Sequence, residues 1–333
     1  MIITVGIKAL NEEARIADAL ASALAAVEPF DGEVVLADCG SADRTIEVAR
    51  NFPVRIVQLE ASEPPSCGAG AQLAYQHARG QFFYLLDGDQ VLRPGFLPAA
   101  IAYLEAHPDV AGVGGLIQEG NTQGPEFELR AKSARDDAAA DAGIVDRLDC
   151  GGLYRTSAIR EVGYFADRNL HSFEEFDVAA RLQARGWKLA RIHLPAADHF
   201  GHTDGGYRLL WRRLASGYAG GVGEVLRAAL GRDHLGIVLR RLSHVRNSAL
   251  VICWWLLIAA FAIAGRPLAV AALLLAPLLF LSVRRGSLRL GLYSLASWNV
   301  TALGLLTGLF VRRLPAQRPL RSIELSAPAA PQR

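Results

Sequence analysis

Hydrophobic and polar positions follow two regimes along this chain. Up to about residue 200, short apolar runs alternate with segments of helical period. The runs IITVGI at 2–7, EVVLA at 33–37, VRIVQL at 54–59 and QFFYLL at 81–86 read as strands. Helices are predicted from near Glu12 to about Val27, from Ser41 to Arg50 and over about 68–78. GGLYRTSAI at 151–159 looks like a strand entering a helix, Glu174 to Arg185 looks helical, and WKLARI at 187–192 looks like a further strand. The stretch 119–149 is polar or rich in Ala and Asp, and is expected to be a loop or a helix over the site. The βαβα alternation predicts an α/β fold with a mostly parallel sheet and helices on both faces. Ligands of such sheets bind at the carboxyl ends of strands, where Asp38 and Asp87 stand.

After His202 the pattern changes. Residues 206–246 mix arginines with Leu, Trp, Tyr and Val, partly at helical spacing (Leu210, Leu214, Tyr218), as in helices that lie on an anionic membrane surface. From Asn247 to Val283 the only charge is Arg266, and from Leu290 to Val311 there is none. A spanning helix needs about 20 apolar residues, so 247–313 is expected to hold two or three transmembrane or re-entrant helices. The first stretch divides at Gly265-Arg266-Pro267. Arg240, Arg241 and Arg246 precede the first segment, and Arg284, Arg285 and Arg289 follow the second, which fits an out-and-back hairpin. A third span would place Arg312, Arg313, Arg318 and Arg321 outside, against the positive-inside tendency. The expected division is a catalytic domain at 1–205, interfacial helices at 206–246, membrane helices at 247–313 and a flexible tail at 314–333.

Composition narrows the function classes. The chain has 333 residues and a net charge of +2, so no broadly basic nucleic-acid surface is indicated. Cys39, Cys67, Cys150 and Cys253 show neither zinc spacing nor a disulfide framework and fit a reducing compartment. The opening MIITVGIKALNEE lacks signal-peptide features and reads as the first strand of a folded domain. There is no Walker A motif, no GxGxxG after the first strand and no GxSxG elbow, which counts against a P-loop ATPase, a dinucleotide dehydrogenase and an α/β-hydrolase.

Candidate chemistry is acidic. Asp87-Gly88-Asp89 follows the fourth strand, and two carboxylates there suit a hard divalent cation, although many surface turns carry the same residues. Gly88 lets the turn bring both acids toward one site. Asp38 ends an earlier strand, before Gly40, Ser41 and Asp43, which suggest a turn and helix start. In FEEFD, Glu175 is a candidate general base beside Glu174 and Asp177, with Arg181 placed for a helical ion pair to Asp177. His199 and His202 are candidate metal or diphosphate contacts.

Taken in order, these motifs resemble the family 2 glycosyltransferases, with their GT-A nucleotide-diphospho-sugar transferase fold, over about residues 2–215. The Asn-Glu pair is Asn11-Glu12, and the Asp-Asp-Gly-Ser-x-Asp segment corresponds to residues 38–43. The Asp-x-Asp is Asp87-Gly88-Asp89, and the Glu-Asp-x-Asp-Leu-x-x-Arg segment corresponds to residues 174–181. The resemblance implies that Glu12 and Asp38 contact the nucleoside. Asp87 and Asp89 lie by ribose, diphosphate and Mg2+ or Mn2+, with a late histidine, His199 or His202, nearby. It also implies that Glu175 deprotonates the acceptor hydroxyl, with inversion at the sugar. Departures are Cys39 for the second aspartate, Glu175 for the usual Asp and Gln72 for a common asparagine. LLWRR at 209–213 does not match the Gln-x-x-Arg-Trp of processive synthases, so addition of a single sugar is expected.

A catalytic domain followed by membrane helices also resembles bacterial exopolysaccharide transferases. That implies a UDP-sugar donor by preference, with guanosine or thymidine carriers open, and a polyprenyl-diphosphate-linked acceptor. It places the enzyme at the cytoplasmic face of the inner membrane. Transfer to polyprenyl phosphate or another membrane lipid is the enzyme alternative. A degenerate sugar-nucleotide-binding scaffold is the non-enzyme alternative.

Overall fold

The structure, a computed structural model, describes residues 2–120, 143–149, 151–201 and 205–326. Most of the expected loop at 119–149 and His202 lie outside the described residues. The described residues fall into two compact units: the first runs to residue 201 and takes in 313–326, and the second is 205–312.

The first unit is built on β1 (Ile3–Ala9), β2 (Glu33–Asp38), β3 (Arg55–Leu59), β4 (Phe82–Asp87), β5 (Gln90–Leu92), β6 (Val110–Glu119), β7 (Gly143–Val145), β8 (Gly152–Arg155), β9 (Lys188–His199) and β10 (Ser322–Ser326). Its helices are α1 (Ile16–Val27), α2 (Thr45–Ala49), α3 (Cys67–Gln76), α4 (Phe96–Ala106), α5 (Thr156–Glu161) and α6 (Glu174–Ala184). The strands pair in the order β10-β3-β2-β1-β4-β8-β6-β9-β5, with β7 on β9. The chain builds outward from β1 through β2 to β3, then returns to the other side of β1 as β4. That reversal opens a crevice at the carboxyl ends of β1 and β4. Parallel register sets Lys8 opposite Asp87 and Ala9 opposite Asp38, so three strand ends deliver polar groups to one edge.

The central strands read as continuous apolar runs because both faces are covered. On one face Ile3, Val5 and Ile7 pack in a layer with Ile16, Leu20, Phe96 and Ile101. On the other, Val35, Phe83 and Leu85 share a layer with Leu73, Ile159 and Val178. Gly6 allows α3 to approach β1, since a Cβ there would lie 2.8 Å from that of Ala74.

The sheet is more mixed than expected, because β8 lies antiparallel between β4 and β6. α4 and β6 fill a region for which no element was predicted. The first helix starts at Ile16 rather than Glu12, because residues 11–15 form a turn at the sheet edge.

The flexible tail is corrected for residues up to Ser326. β10 adds antiparallel to β3, and the stretch before it is tied down by buried polar groups that need partners. Arg313 pairs with Asp167 at 2.5 Å, and Gln76 exchanges two hydrogen bonds with the backbone of Leu320. Arg168 pairs with Glu63, their side chains only 1% and 2% exposed, and donates to the carbonyl of Arg318. Arg321 meets Glu63 at 3.3 Å. Arg168→Met is expected to destabilise the unit by about 3 kcal/mol, because Glu63 stays buried without its main counter-charge. Denaturant unfolding of the full chain checks this. Adding Glu63→Leu should recover most of the loss, and an unchanged midpoint in the single variant would contradict the account.

The second unit holds α7 (Gly206–Ala215), a 3-10 turn at Tyr218–Gly220, α8 (Gly221–Ala229), α9 (Leu235–Arg241), α10 (Ser243–Ile263), α11 (Pro267–Arg285) and α12 (Leu288–Phe310). By length and composition α10 and α11 are apolar enough to cross a membrane. Only 17% and 6% of their most apolar stretches are buried, whereas a core helix of a soluble domain would be mostly covered.

Candidate active site

The crevice edge is organised around a cation. Lys8 ends the buried face of β1, and its Nζ lies 2.5 Å from Glu174, 3.2 Å from Asp87 and 3.7 Å from Glu175. Burial alone would lower the pKa of Lys8. Asp87, Glu174 and Glu175 outweigh burial and hold it well above the usual lysine range. One ammonium cannot neutralise three acids. Burial and the charge of Glu174 therefore push Glu175 up to about 8, against the pull of Lys8.

Local sequence places both glutamates. Phe173 adopts a left-handed backbone (φ 66) at the start of α6, costing roughly 1–2 kcal/mol. The next two residues, Glu174 and Glu175, then stand in the first turn of α6. Asp177 does not join this cluster and is corrected as a candidate catalytic group. It lies further along α6, fully buried, with Oδ2 2.8 Å from Arg181 Nε. Arg181 donates onward to the carbonyls of Tyr164 and Phe165, so the pair anchors the helix to the preceding loop.

Two loops close over the other side. Asn11 has φ 59; its backbone N–H donates to Ser41 Oγ and its side chain accepts from the Ala42 N–H. The N–H of Glu12 donates to Thr45 Oγ1, and that of Glu13 to Asp43. Glu12 thereby stands over Gly88. A Cβ on Gly88 would lie 2.9 Å from Glu12 Cγ, so the glycine is needed for room rather than for an unusual φ. Burial, then Asp89, Asp87 and Asp43, raise Glu12 to about 8.

Asp38 is fully buried. Its Oδ2 accepts from the backbone N–H groups of Gly40 and Ser41 and from Gln58 Nε2, at 2.9–3.0 Å. Its Oδ1 is buried with no hydrogen-bond partner among the described residues, a vacancy suited to a donor group of a ligand. Cys39, where the family pattern has an acid, is pushed up to about 12 by burial and by Asp38, so it stays an uncharged thiol. Gln72 points elsewhere and accepts from the N–H groups of Phe165 and Ala166.

The Asp87–Asp89 turn is held by buried Gln90, whose Oε1 accepts from the Asp87 N–H. β5–β9 pairing brings His199 beside it: Nε2 is 3.4 Å from Asp89 and Nδ1 is 3.0 Å from Glu119. Burial would lower His199, but its hydrogen bonds to Asp89 and Glu119 raise it to about 10. As placed, His199 is a counter-ion that orients Asp89, and ligation of a metal would require its proton to leave.

Among the described residues no three His, Cys, Asp or Glu side chains form a ready-made metal cage. Carboxylates nevertheless outnumber cations at this edge. Such a donor set fits Mg2+ or Mn2+, which bind through one or two carboxylates and complete their shell with water and substrate phosphates. Lys8 and Glu119 escaped the sequence reading. A lysine inside a strand buried on both faces was the available signal for Lys8, whereas Glu119 was hidden at the start of a polar stretch.

The chain matches the family described as Glycosyl transferase family 2 over residues 4–163. It is 26% identical over 167 residues to EpsE of Bacillus subtilis (strain 168), itself provisionally named a glycosyltransferase. That match spans 47% of this chain and 58% of EpsE. Among solved structures, the mannosyltransferase PcManGT from Pyrobaculum calidifontis, in complex with GDP-Man and Mn2+, superposes with a TM-score of 0.62 at 20% identity. It covers 92% of this chain and 87% of that one. Glucosyl-3-phosphoglycerate synthase from Mycobacterium tuberculosis, with Mg2+ and UDP, gives a TM-score of 0.50 at 18% identity over 71% and 79%. These likenesses establish the GT-A fold.

Lys8→Met should leave the Asp87, Glu174 and Glu175 carboxylates short of a counter-charge. The folded-state pKa values of Asp87 and Glu175, already raised by burial, would then rise further above the unfolded values. The destabilisation is therefore present above about pH 8 and relieved as pH falls toward about 5 and the acids take up protons. Thermal unfolding in chelator at the two pH values checks this, and a gap from the wild type that does not change with pH would contradict it.

Proposed function

We propose that this family 2 glycosyltransferase transfers a single sugar, with inversion, from a nucleoside-diphosphate donor to a hydroxyl of a polyprenyl-diphosphate-linked acceptor. It would act at the cytoplasmic face of a bacterial inner membrane, in exopolysaccharide or other envelope glycan synthesis. The observation that carries this is the Lys8 ion-pair cluster, which sets Glu175 beside the Asp87-Gly88-Asp89 turn at one sheet edge. The exposed apolar helices α10 and α11 support the membrane setting, and the basic helix α7, with Trp211 and Tyr207 exposed, supports contact with an anionic surface.

In this reading Asp38 Oδ1 and Glu12 receive the nucleoside. Asp89 and Asp87 would hold Mg2+ or Mn2+, and His199 keeps Asp89 oriented. When bound, such a cation would supply positive charge against the departing diphosphate. Glu175, whose burial makes it a stronger base than an ordinary glutamate, takes the proton of the acceptor hydroxyl. Lys8 fixes the distance between that base and the donor turn, and small errors in that distance are costly in rate. UDP is the preferred carrier, with GDP the next; the similar solved structures include complexes with UDP and with GDP-Man. A phosphate acceptor would need no base, and a buried glutamate with a raised pKa therefore favours a hydroxyl.

Turnover is read as nucleoside diphosphate release in membranes carrying the full chain, with a panel of nucleotide sugars and polyprenyl-linked acceptors. Acceptor-stimulated release should be abolished by chelator and reduced at least about a hundredfold in Asp89→Asn and in Glu175→Gln. Normal turnover in folded Glu175→Gln would remove the base assignment, and release driven only by polyprenyl phosphate would move the acceptor to that lipid. The base works deprotonated, so kcat/KM should rise with pH. The limb should lie between the ordinary glutamate range and about 8, since a bound cation draws the pKa back down, and it should vanish in Glu175→Gln. A limb in the ordinary glutamate range would contradict the assignment.

A further inference from the structure

The chain leaves the first unit after residue 201 and is bound into it again from Arg313 onward. The return is firm. Leu314 exchanges two hydrogen bonds with Asn169 at 2.7 and 2.9 Å, Leu320 is buried, and β10 is paired to β3. A bilayer cannot pass between hydrogen-bonded strands of one sheet. Residues 205 and 312 therefore emerge on one side, and the excursion between them crosses an even number of times.

Contacts inside the second unit say which helix does not cross. At its start, α12 sets Gly291 against Ser282, near the end of α11. Its middle residues Ser297, Trp298 and Thr301 line a cavity with His244, Asn247 and Ser248, at the beginning of α10. At its end, Gly304 and Gly308 press on the backbone of Ala219 and Gly220, and Arg227 donates to the carbonyl of Leu309. Ala219, Gly220 and α8 precede the first apolar helix, so they lie on the entry side. Both ends of α12 thus pack on elements of that same side. Trp255, a long side chain partway along α10, donates through Nε1 to Asn299 Oδ1 at 2.6 Å. A polar Asn, with Ser294, Ser297 and Thr301 on the same helix, suits an interface better than hydrocarbon.

Resting on the membrane reading above, we infer that this chain crosses the bilayer twice, as an α10–α11 hairpin turning at Gly265–Pro267. α12 does not cross; it lies along the anionic lipid surface at the hairpin's open end. Arg240, Arg241 and Arg246 at the way in, and Arg284, Arg285 and Arg289 at the way out, then share the cytoplasmic side, as does the arginine-bearing segment after α12. The conflict with the positive-inside tendency disappears.

The test uses thiol labelling with a membrane-impermeant reagent in intact and permeabilised spheroplasts expressing the full chain. Exposed positions are replaced singly: Arg266→Cys, Arg289→Cys and Arg312→Cys, with the wild-type chain and its native cysteines as baseline. Retained nucleoside diphosphate release shows that each variant is folded. The expected result is labelling above baseline at Arg266→Cys in intact spheroplasts, and at Arg289→Cys and Arg312→Cys only after permeabilisation. Labelling of Arg312→Cys from outside means three crossings and overturns the inference. Protection of all three positions also overturns it. Alkaline carbonate extraction then separates the causes: protein kept in the pellet leaves the membrane reading standing without a hairpin, and released protein removes both.

Discussion

A single buried ammonium holds the functional edge of this protein together. Lys8 is placed by the register of β1 on β4, and it is the point where Asp87 from one strand meets Glu174 and Glu175 from a helix far along the chain. Two unit charges at such distances interact by several kcal/mol at an effective dielectric of about 20, enough to fix the start of α6 against the sheet. The same cation is too little for the acids around it. That imbalance leaves the edge electronegative, which keeps Glu175 basic and makes a divalent cation a favourable addition.

The rest of the site follows from satisfying buried polar groups. The β1–α1 and β2–α2 loops exchange hydrogen bonds through Asn11, Ser41, Asp43 and Thr45, so the first loop cannot move without the second. Glu12 and Asp38 are carried on those loops. The segment 313–321 obeys the same logic, reaching the carboxyl end of β3. Asp167 is a buried charge paired with Arg313, and Arg168, paired with Glu63, donates to the carbonyl of Arg318, so residues 313–321 are tied to the first unit.

Strand ends were legible because Asp38 and Asp87 each terminate an apolar run, and the helix of Glu174 to Arg185 was legible from its period. The Asp177–Arg181 pair followed from i, i+4 spacing. Lys8 was legible only as a lysine inside an apolar strand, a signal that by itself does not say whether the side chain is buried. Its burial depends on α3 and α6 covering that face. The role of Gly88 was legible only in part: the residue was singled out for backbone freedom, whereas the space it leaves is filled by Glu12, which comes from another loop. β10 was missed because SIELS is short and its partner lies some 265 residues away, so its pairing is a tertiary choice with no local signal.

The central claim is that the Asp87–Asp89 edge binds a divalent cation jointly with a nucleoside diphosphate. The most direct measurement is Mn2+ titration of the purified full chain, followed by the paramagnetic resonance signal of free Mn2+, with and without UDP or GDP. The account predicts weak uptake of Mn2+ by the protein alone, strong uptake when the nucleotide is present, and loss of that gain in Asp89→Asn. Nucleotide that binds equally well in chelator, or Mn2+ uptake indifferent to both nucleotide and Asp89, would contradict it.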